Sequence, residues 1–188
     1  MLWLLLVFNV PALGVRPGFH STGNLEWRDC GVGDSWVSVK QFDVSPSPVT
    51  LPGEFTVSFV GTITHSIRDD VTMDVLMEKE LLGSFVKEYC IQDFGTCHYT
   101  DPCHFFNIYR QQGICPPQLT ANGIPCTCPF NPDQLHMPPT KFSIFNISAI
   151  WKYLLSYGNY YLKITLNEKR THQLRGCFET YLVLDSSA

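Results

Sequence analysis

Apolar and polar residues alternate with a period of two in four stretches of the chain, the pattern of strands with one buried face. In the first, Phe55, Val57, Phe59 and Ile63 fall on one side and Thr56, Ser58, Thr62 and Thr64 on the other. Val71, Met73, Val75 and Met77 alternate in the same way with Thr72, Asp74 and Glu78. Tyr160, Leu162, Ile164 and Leu166 alternate with Tyr161, Lys163, Thr165 and Asn167. Near Cys177–Leu184, Phe178, Leu182 and Leu184 mark one face of a further strand. Two segments change phase: Val37 and Val39 give way to Phe42 and Val44, and Phe142 and Ile144 to Phe145 and Ile147. A bulge in each strand accounts for the shift. The spacing predicts one short helix, over Asp101–Gln112, with Thr100 as N-cap and Pro102 in the first turn. With no repeat and no linker-like tract, the pattern predicts one all-β domain whose strands are joined by turns.

Two apolar stretches do not fit this scheme. Leu81, Leu82, Phe85 and Val86 occupy the tip between two strands, where Gly, Asn, Asp or Ser is usual. Ile150, Trp151, Leu154 and Leu155 lie in SAIWKYLLSY and share one side if that segment coils. Exposed apolar surface costs about 25 cal/mol per Å². Such tips either fold back on their own core or enter a membrane or ring a lipid cavity. Rings such as Phe55, Phe59 and Tyr160 can line such a cavity.

Cysteines organise what remains. Six of the eight, Cys90, Cys97, Cys103, Cys115, Cys126 and Cys128, lie in one Pro- and Gly-rich run, with Cys30 and Cys177 standing apart. Cys126 and Cys128, one residue apart, cannot bridge each other without strain. Cys90 and Cys97 can close a short loop, and Cys115 and Cys126 flank a turn-rich segment. The simplest completion joins Cys103 to Cys128 and Cys30 to Cys177. A structural zinc site would need paired C-x₂₋₄-C or C…H-x₃₋₅-H spacings, which the run lacks, so no metal is expected.

The compartment follows from the N-terminus. Residues 1–14, MLWLLLVFNVPALG, carry an apolar core too short to span a bilayer and small residues suited to cleavage, so they read as a secretory signal peptide. Residues 15–188 then form a single domain of a secreted or lysosomal protein, where disulfides persist. Asn146-Ile147-Ser148 is a glycosylation sequon. Aromatic residues make up 13% and charged residues 16%, which excludes a disordered chain. The net charge of −4 excludes a nucleic-acid partner. Protonating all six histidines would carry it to +2 and favour contact with anionic bilayers in acid.

Catalytic constellations are wanting. The sequence has no G-x-S-x-G elbow, no H-E-x-x-H and no P-loop. Cys97-His98 through Cys103-His104 is similar to the histidine helix of secreted phospholipases, but the Gly-rich calcium loop is missing. No catalytic residue and no cofactor is expected. A disulfide-rich lipase-like enzyme is the weakest of three readings. A lipid extractor comes first, and a carrier of a sterol, pigment or signalling lipid second.

Ordered motifs give the first reading its shape. Trp27 and Cys30, Pro52-Gly53, the tract VLMEKELLGSFV over Val75–Val86, Cys90-x₆-Cys97-x₅-Cys103, GIPCTCPF over Gly123–Phe130, Gly158–Tyr160 and Gly176-Cys177 together resemble the ganglioside activator family of lysosomal sphingolipid activators. That resemblance spans the chain from about Leu25 onward. It implies an antiparallel β-cup around a deep apolar lipid cavity, with apolar loops at the rim and peripheral contact with membrane. It also implies the pairs Cys30–Cys177, Cys90–Cys97, Cys103–Cys128 and Cys115–Cys126, a glycolipid or phospholipid ligand, and a β-hexosaminidase-type hydrolase as partner. The alternating strands put the candidate lining of such a cavity at Phe55, Val57, Phe59, Ile63, Met73, Val75, Met77, Tyr160, Leu162 and Ile164. Two departures stand out: Glu54 replaces the sequon mammalian members carry after the Pro-Gly turn, and Phe85 stands where a Trp is usual.

Overall fold

A computed structural model describes residues 18–22, 25–103, 115–144 and 156–186. Within these residues the chain folds as two β-sheets. The strands are β1 (His20–Thr22), β2 (Leu25–Asp29), β3 (Val37–Ser45), β4 (Val49–Leu51), β5 (Gly53–Ile63), β6 (Val71–Leu81), β7 (Ser84–Lys87), β8 (Cys97–Tyr99), β9 (Asp133–Ile144), β10 (Gly158–Glu168) and β11 (Leu174–Ser186). The larger sheet runs β1-β2-β11-β10-β6-β7, with β4 parallel to β11 and β8 on the free edge of β6; the smaller runs β3-β5-β9.

Register carries the sequence alternation onto common faces. In β6 and β10, Met77 lies opposite Leu162, Val75 opposite Ile164 and Met73 opposite Leu166. Directly opposed residues share a face, so the apolar halves of both strands form one inner surface. The phase change in β3 is a bulge: Val39 pairs with Gly61 and Gln41 with Val60, leaving Lys40 as the extra, exposed residue. A second bulge falls in β9, where Val57 pairs with Thr140 and Phe59 with Met137. Pro138 and Pro139 occupy it, and β9 is an edge strand, so their missing N–H groups are tolerated. The phase change expected between Ile144 and Ile147 lies outside the described residues.

The sheets meet along one side. Phe42 of β3 packs edge-on against Phe178 of β11, ring centroids 5.2 Å apart, and Trp27 stacks on the same ring at 6.2 Å. Toward β6 and β9 the sheets part. Four disulfides staple the fold, Cys30–Cys177, Cys90–Cys97, Cys103–Cys128 and Cys115–Cys126, with Cα separations of 4.8, 5.0, 5.6 and 5.7 Å. All eight cysteines are therefore committed. Of the helix expected over Asp101–Gln112, only its first three residues are described. A helical turn not foreseen, α1 (Pro117–Thr120), follows Pro116, with Pro117 in the first-turn position that suits it.

Candidate functional site

Between the parted sheets lies a cavity of about 350 Å³ whose lining residues are all apolar. Phe59, Ile63, Leu135 and Met137 wall it from the smaller sheet, and Met73, Ile164 and Leu166 from the larger. The third wall belongs to neither sheet. Pro102, Leu119, Ile124, Pro125 and Phe130 come from the disulfide-bridged run and close the gap between β6 and β9. Asn122 anchors α1 to β9 through Nδ2, which donates to Thr140 Oγ1 at 3.2 Å. Gly61 makes room for the Phe59 ring: a Cβ there would sit 2.5 Å from Phe59 Cζ and 3.0 Å from the Ser38 carbonyl oxygen. The volume falls within the usual range of ligand pockets.

Residues expected to line a cavity divide between two jobs. Phe59, Ile63, Met73 and Ile164 line it. Met77 and Tyr160 are instead buried with Val49 and Leu184 in a packed cluster at the other end of the sheets, and Phe55 and Leu162 pack against that cluster. Val57 lies next along the inner face, while Val75 also borders a groove on the opposite face of β6. The reason is length. Strands of eleven residues are long enough to hold a solid core at one end and a void at the other. Tyr160 fixes the solid end. Its hydroxyl donates to the Ser156 carbonyl at 2.5 Å, and burial pushes its pKa up to about 12, so it stays a neutral donor. Lys79 Nζ reaches the same residue, 2.5 Å from Ser156 Oγ.

Beyond that cluster is the hairpin of β6 and β7, and here the expected tip needs correction. The strands continue to Leu81 and resume at Ser84, so the loop is Leu82-Gly83 alone, with φ of 52° and 81°. Two residues with positive φ make the tight turn whose twist suits a hairpin. Leu82 is fully exposed at its apex, with Leu81 and Val86 about half exposed beside it and Tyr157 exposed where β10 begins. Phe85 points the other way. It packs edge-on against Tyr181 and Tyr161, at 5.5 and 6.5 Å, on the outer face of the larger sheet. Alternation within β7 separates Phe85 from Val86. Ile150, Trp151, Leu154, Leu155 and Asn146, and the signal peptide, lie outside the described residues.

The far end of the sheets is held by charge. Arg175 Nη2 and Nε donate to Glu168 Oε2 at 2.8 and 3.1 Å, Nη1 reaches Asp34 at 2.5 Å, and the guanidinium lies over the Trp36 ring at 5.0 Å. The Arg175 hydrogen bonds hold the Glu168 carboxyl below the usual carboxylate range. Trp36 in turn packs against Ile63, Ile67 and Val71, so this network closes the sandwich below the cavity. Among the described residues no cluster of three or more metal-ligating side chains occurs.

Sequence reasoning missed the third wall, since its residues follow no periodicity and are assembled by disulfides. Leu166 carried a readable signal, being the next step of the Tyr160-Leu162-Ile164 series.

Comparison with known proteins bears on what this cavity serves. A family model described as the ML domain matches residues 24–182. The ganglioside GM2 activator of Mus musculus is 30% identical over 170 residues, covering 89% of this chain and 86% of the mouse protein. The protein of the same name from Macaca fascicularis is 27% identical over 166 residues, covering 87% and 84%. A solved structure, the C-terminal domain of wzt, is 13% identical with a TM-score of 0.37, a likeness too slight to bear on function.

Proposed function

The chain belongs to the ML-domain family and within it to the ganglioside activators, and from that premise we propose that it lifts a glycolipid out of a membrane and presents the headgroup to a soluble hydrolase. It acts without catalysis, as a lipid-binding activator. The observation that carries the reading is the wholly apolar cavity between the sheets. A lined void without polar groups has no use for water and suits acyl chains. The exposed Leu81, Leu82 and Val86 at the hairpin offer a first contact with the bilayer. Ganglioside-like lipids are the favoured ligand, a β-hexosaminidase-type enzyme the partner, and the lysosome or the extracellular space the site of action. Four disulfides suit either compartment.

Native mass spectrometry of the purified protein tests the ligand. A co-purified sphingolipid is the expected result. A sterol or pigment in its place would make the protein a carrier with no hydrolase partner. An empty protein that cleaves ester bonds would overturn the reading altogether.

A further inference from the structure

A second depression, of about 360 Å³, lies on the outer face of the larger sheet. It forms where β7 ends and β8 begins, and between them the edge of β6 is covered by Glu88 and Thr96, which hydrogen-bond Met77. Asp74, Val75 and Leu76 make its floor, Thr96, Cys97 and His98 one side, Lys163 and Thr165 of β10 the other, and Lys87 one end. This groove is distinct from the apolar cavity, and its polar groups are arranged. Asp74 Oδ1 lies 2.6 Å from His98 Nδ1, and Asp74 Oδ2 accepts a bond from Asn167 Nδ2 at 3.1 Å. The carboxylate thus faces two donors and fixes the imidazole ring, leaving Nε2 of His98 as the outward nitrogen.

Lys87 and Lys163 are the uncommitted charges. Among the described residues, neither lies within ion-pair distance of a carboxylate. Lys163 is registered opposite Glu179, but that carboxylate is occupied by Arg28 and by the Tyr161 hydroxyl. Lys87 is registered opposite Glu78 and makes no ion pair with it. Two ammonium groups, an oriented imidazole and the Thr165 hydroxyl therefore border one concavity in a protein whose net charge is −4. The Asp74 carboxylate shares this lining but is held by His98 and Asn167, which leaves the two ammonium groups to attract an anion.

We propose that this outer groove binds a compact oxyanion, a phosphate or a carboxylate, with Lys87 and Lys163 supplying charge and the Thr165 hydroxyl a hydrogen bond. The anion is either free in solution or carried on a sugar ring. Leu76 beside Thr165 gives such a ring an apolar surface to rest on.

Backbone amide NMR at low ionic strength tests the site, with inorganic phosphate in one titration and glucuronate, a sugar carboxylate, in the other. Saturable shifts confined to Asp74–Leu76, Thr96–His98 and Lys163–Thr165 are expected. Tighter binding of glucuronate identifies a sugar-borne anion, and tighter binding of phosphate a free one. Lys163→Gln and Lys87→Gln should each weaken binding ~5-fold or more, the value of one partly exposed charge-assisted bond. Lys141→Gln removes the same net charge from a lysine already paired with Glu54 at 2.5 Å. It should leave binding within ~2-fold, as expected for a screened, distant charge. Equal weakening by Lys141→Gln, or shifts scattered over the surface, would reduce the effect to net charge and overturn the proposal. So would the absence of shifts with both probes. Unchanged melting of each variant shows that the fold is intact.

Discussion

Leu82 is the residue whose position makes least sense for the folded protein alone. It is fully exposed and held at φ 52°, in the left-handed region. For an L-residue other than Gly, Asn or Asp that conformation costs about 1–2 kcal/mol. Asparagine adopts it readily, and Asn-Gly is the preferred pair for this turn. Leu82→Asn should therefore relieve on the order of 1 kcal/mol of backbone strain, which raises the melting temperature by roughly 2–4 °C in a chain of this size. In a membrane the sign reverses. A leucine side chain passing from water into hydrocarbon gains about 1.5–3 kcal/mol, so its loss should weaken vesicle binding about 10- to 100-fold. One substitution is thus expected to stabilise the protein and impair its membrane contact. Thermal unfolding of lipid-free protein and co-sedimentation with phospholipid vesicles read the two effects separately, and Leu82→Gly, which relieves the same strain but loosens the unfolded chain, should stabilise less than Leu82→Asn. A lower melting temperature would show that Leu82 packs on its own protein. Vesicle binding that stays at the wild-type level would remove the hairpin apex from the membrane contact.

Phe85→Ala should behave oppositely, losing about 1–2 kcal/mol of stability from half-buried aromatic packing. A melting temperature equal to wild type would contradict its contact with Tyr181 and Tyr161. Gly61→Val should push the Phe59 ring into the cavity, lowering the stoichiometry of bound lipid and costing about 1–3 kcal/mol by overpacking; unchanged lipid content by mass spectrometry would show that the ring moves elsewhere. Glu168 has a folded pKa below its ordinary value, so its contribution to stability is present at neutral pH. It is lost only as pH falls through that lowered pKa. The melting gap between wild type and Glu168→Gln should hold from about pH 7 to 5 and close below about pH 4. A gap that closes already at mildly acidic pH would contradict the Arg175 pairing.

Legibility in the sequence followed the nature of each interaction. The inner faces of β5, β6 and β10 could be read because alternation and register act on neighbouring residues. The bulge in β3 left its mark as a phase change at Lys40. Most of β9 stayed hidden, because Pro138-Pro139 argues against a strand until the edge position is known. Phe85 reads as part of the tip with Val86, since a run of apolar residues does not reveal where the two-residue turn falls. Glu179 falls on the strand face opposite Phe178, Leu182 and Leu184, yet it is 3% exposed, covered by Tyr161 of the neighbouring β10 and by Arg28, 151 residues away in the chain. The cavity's third wall depends on disulfides that fold a nonperiodic run against both sheets. Local pattern cannot report such distant closures.

The place of β11 in the larger sheet has a consequence for biogenesis. It pairs with β2, β4 and β10, and it follows all three in the chain. During synthesis, strands near the N-terminus must wait for their central partner to emerge, and such long-range pairing is slow to form. Cys30 waits with them, since its partner comes 147 residues later. In that interval six other thiols appear, and a disulfide oxidant can join Cys30 to any of them. The intervening pairs, separated by 7, 11 and 25 residues, close over much shorter loops and can form first. Early local oxidation would then protect Cys30 from wrong partners until β11 arrives.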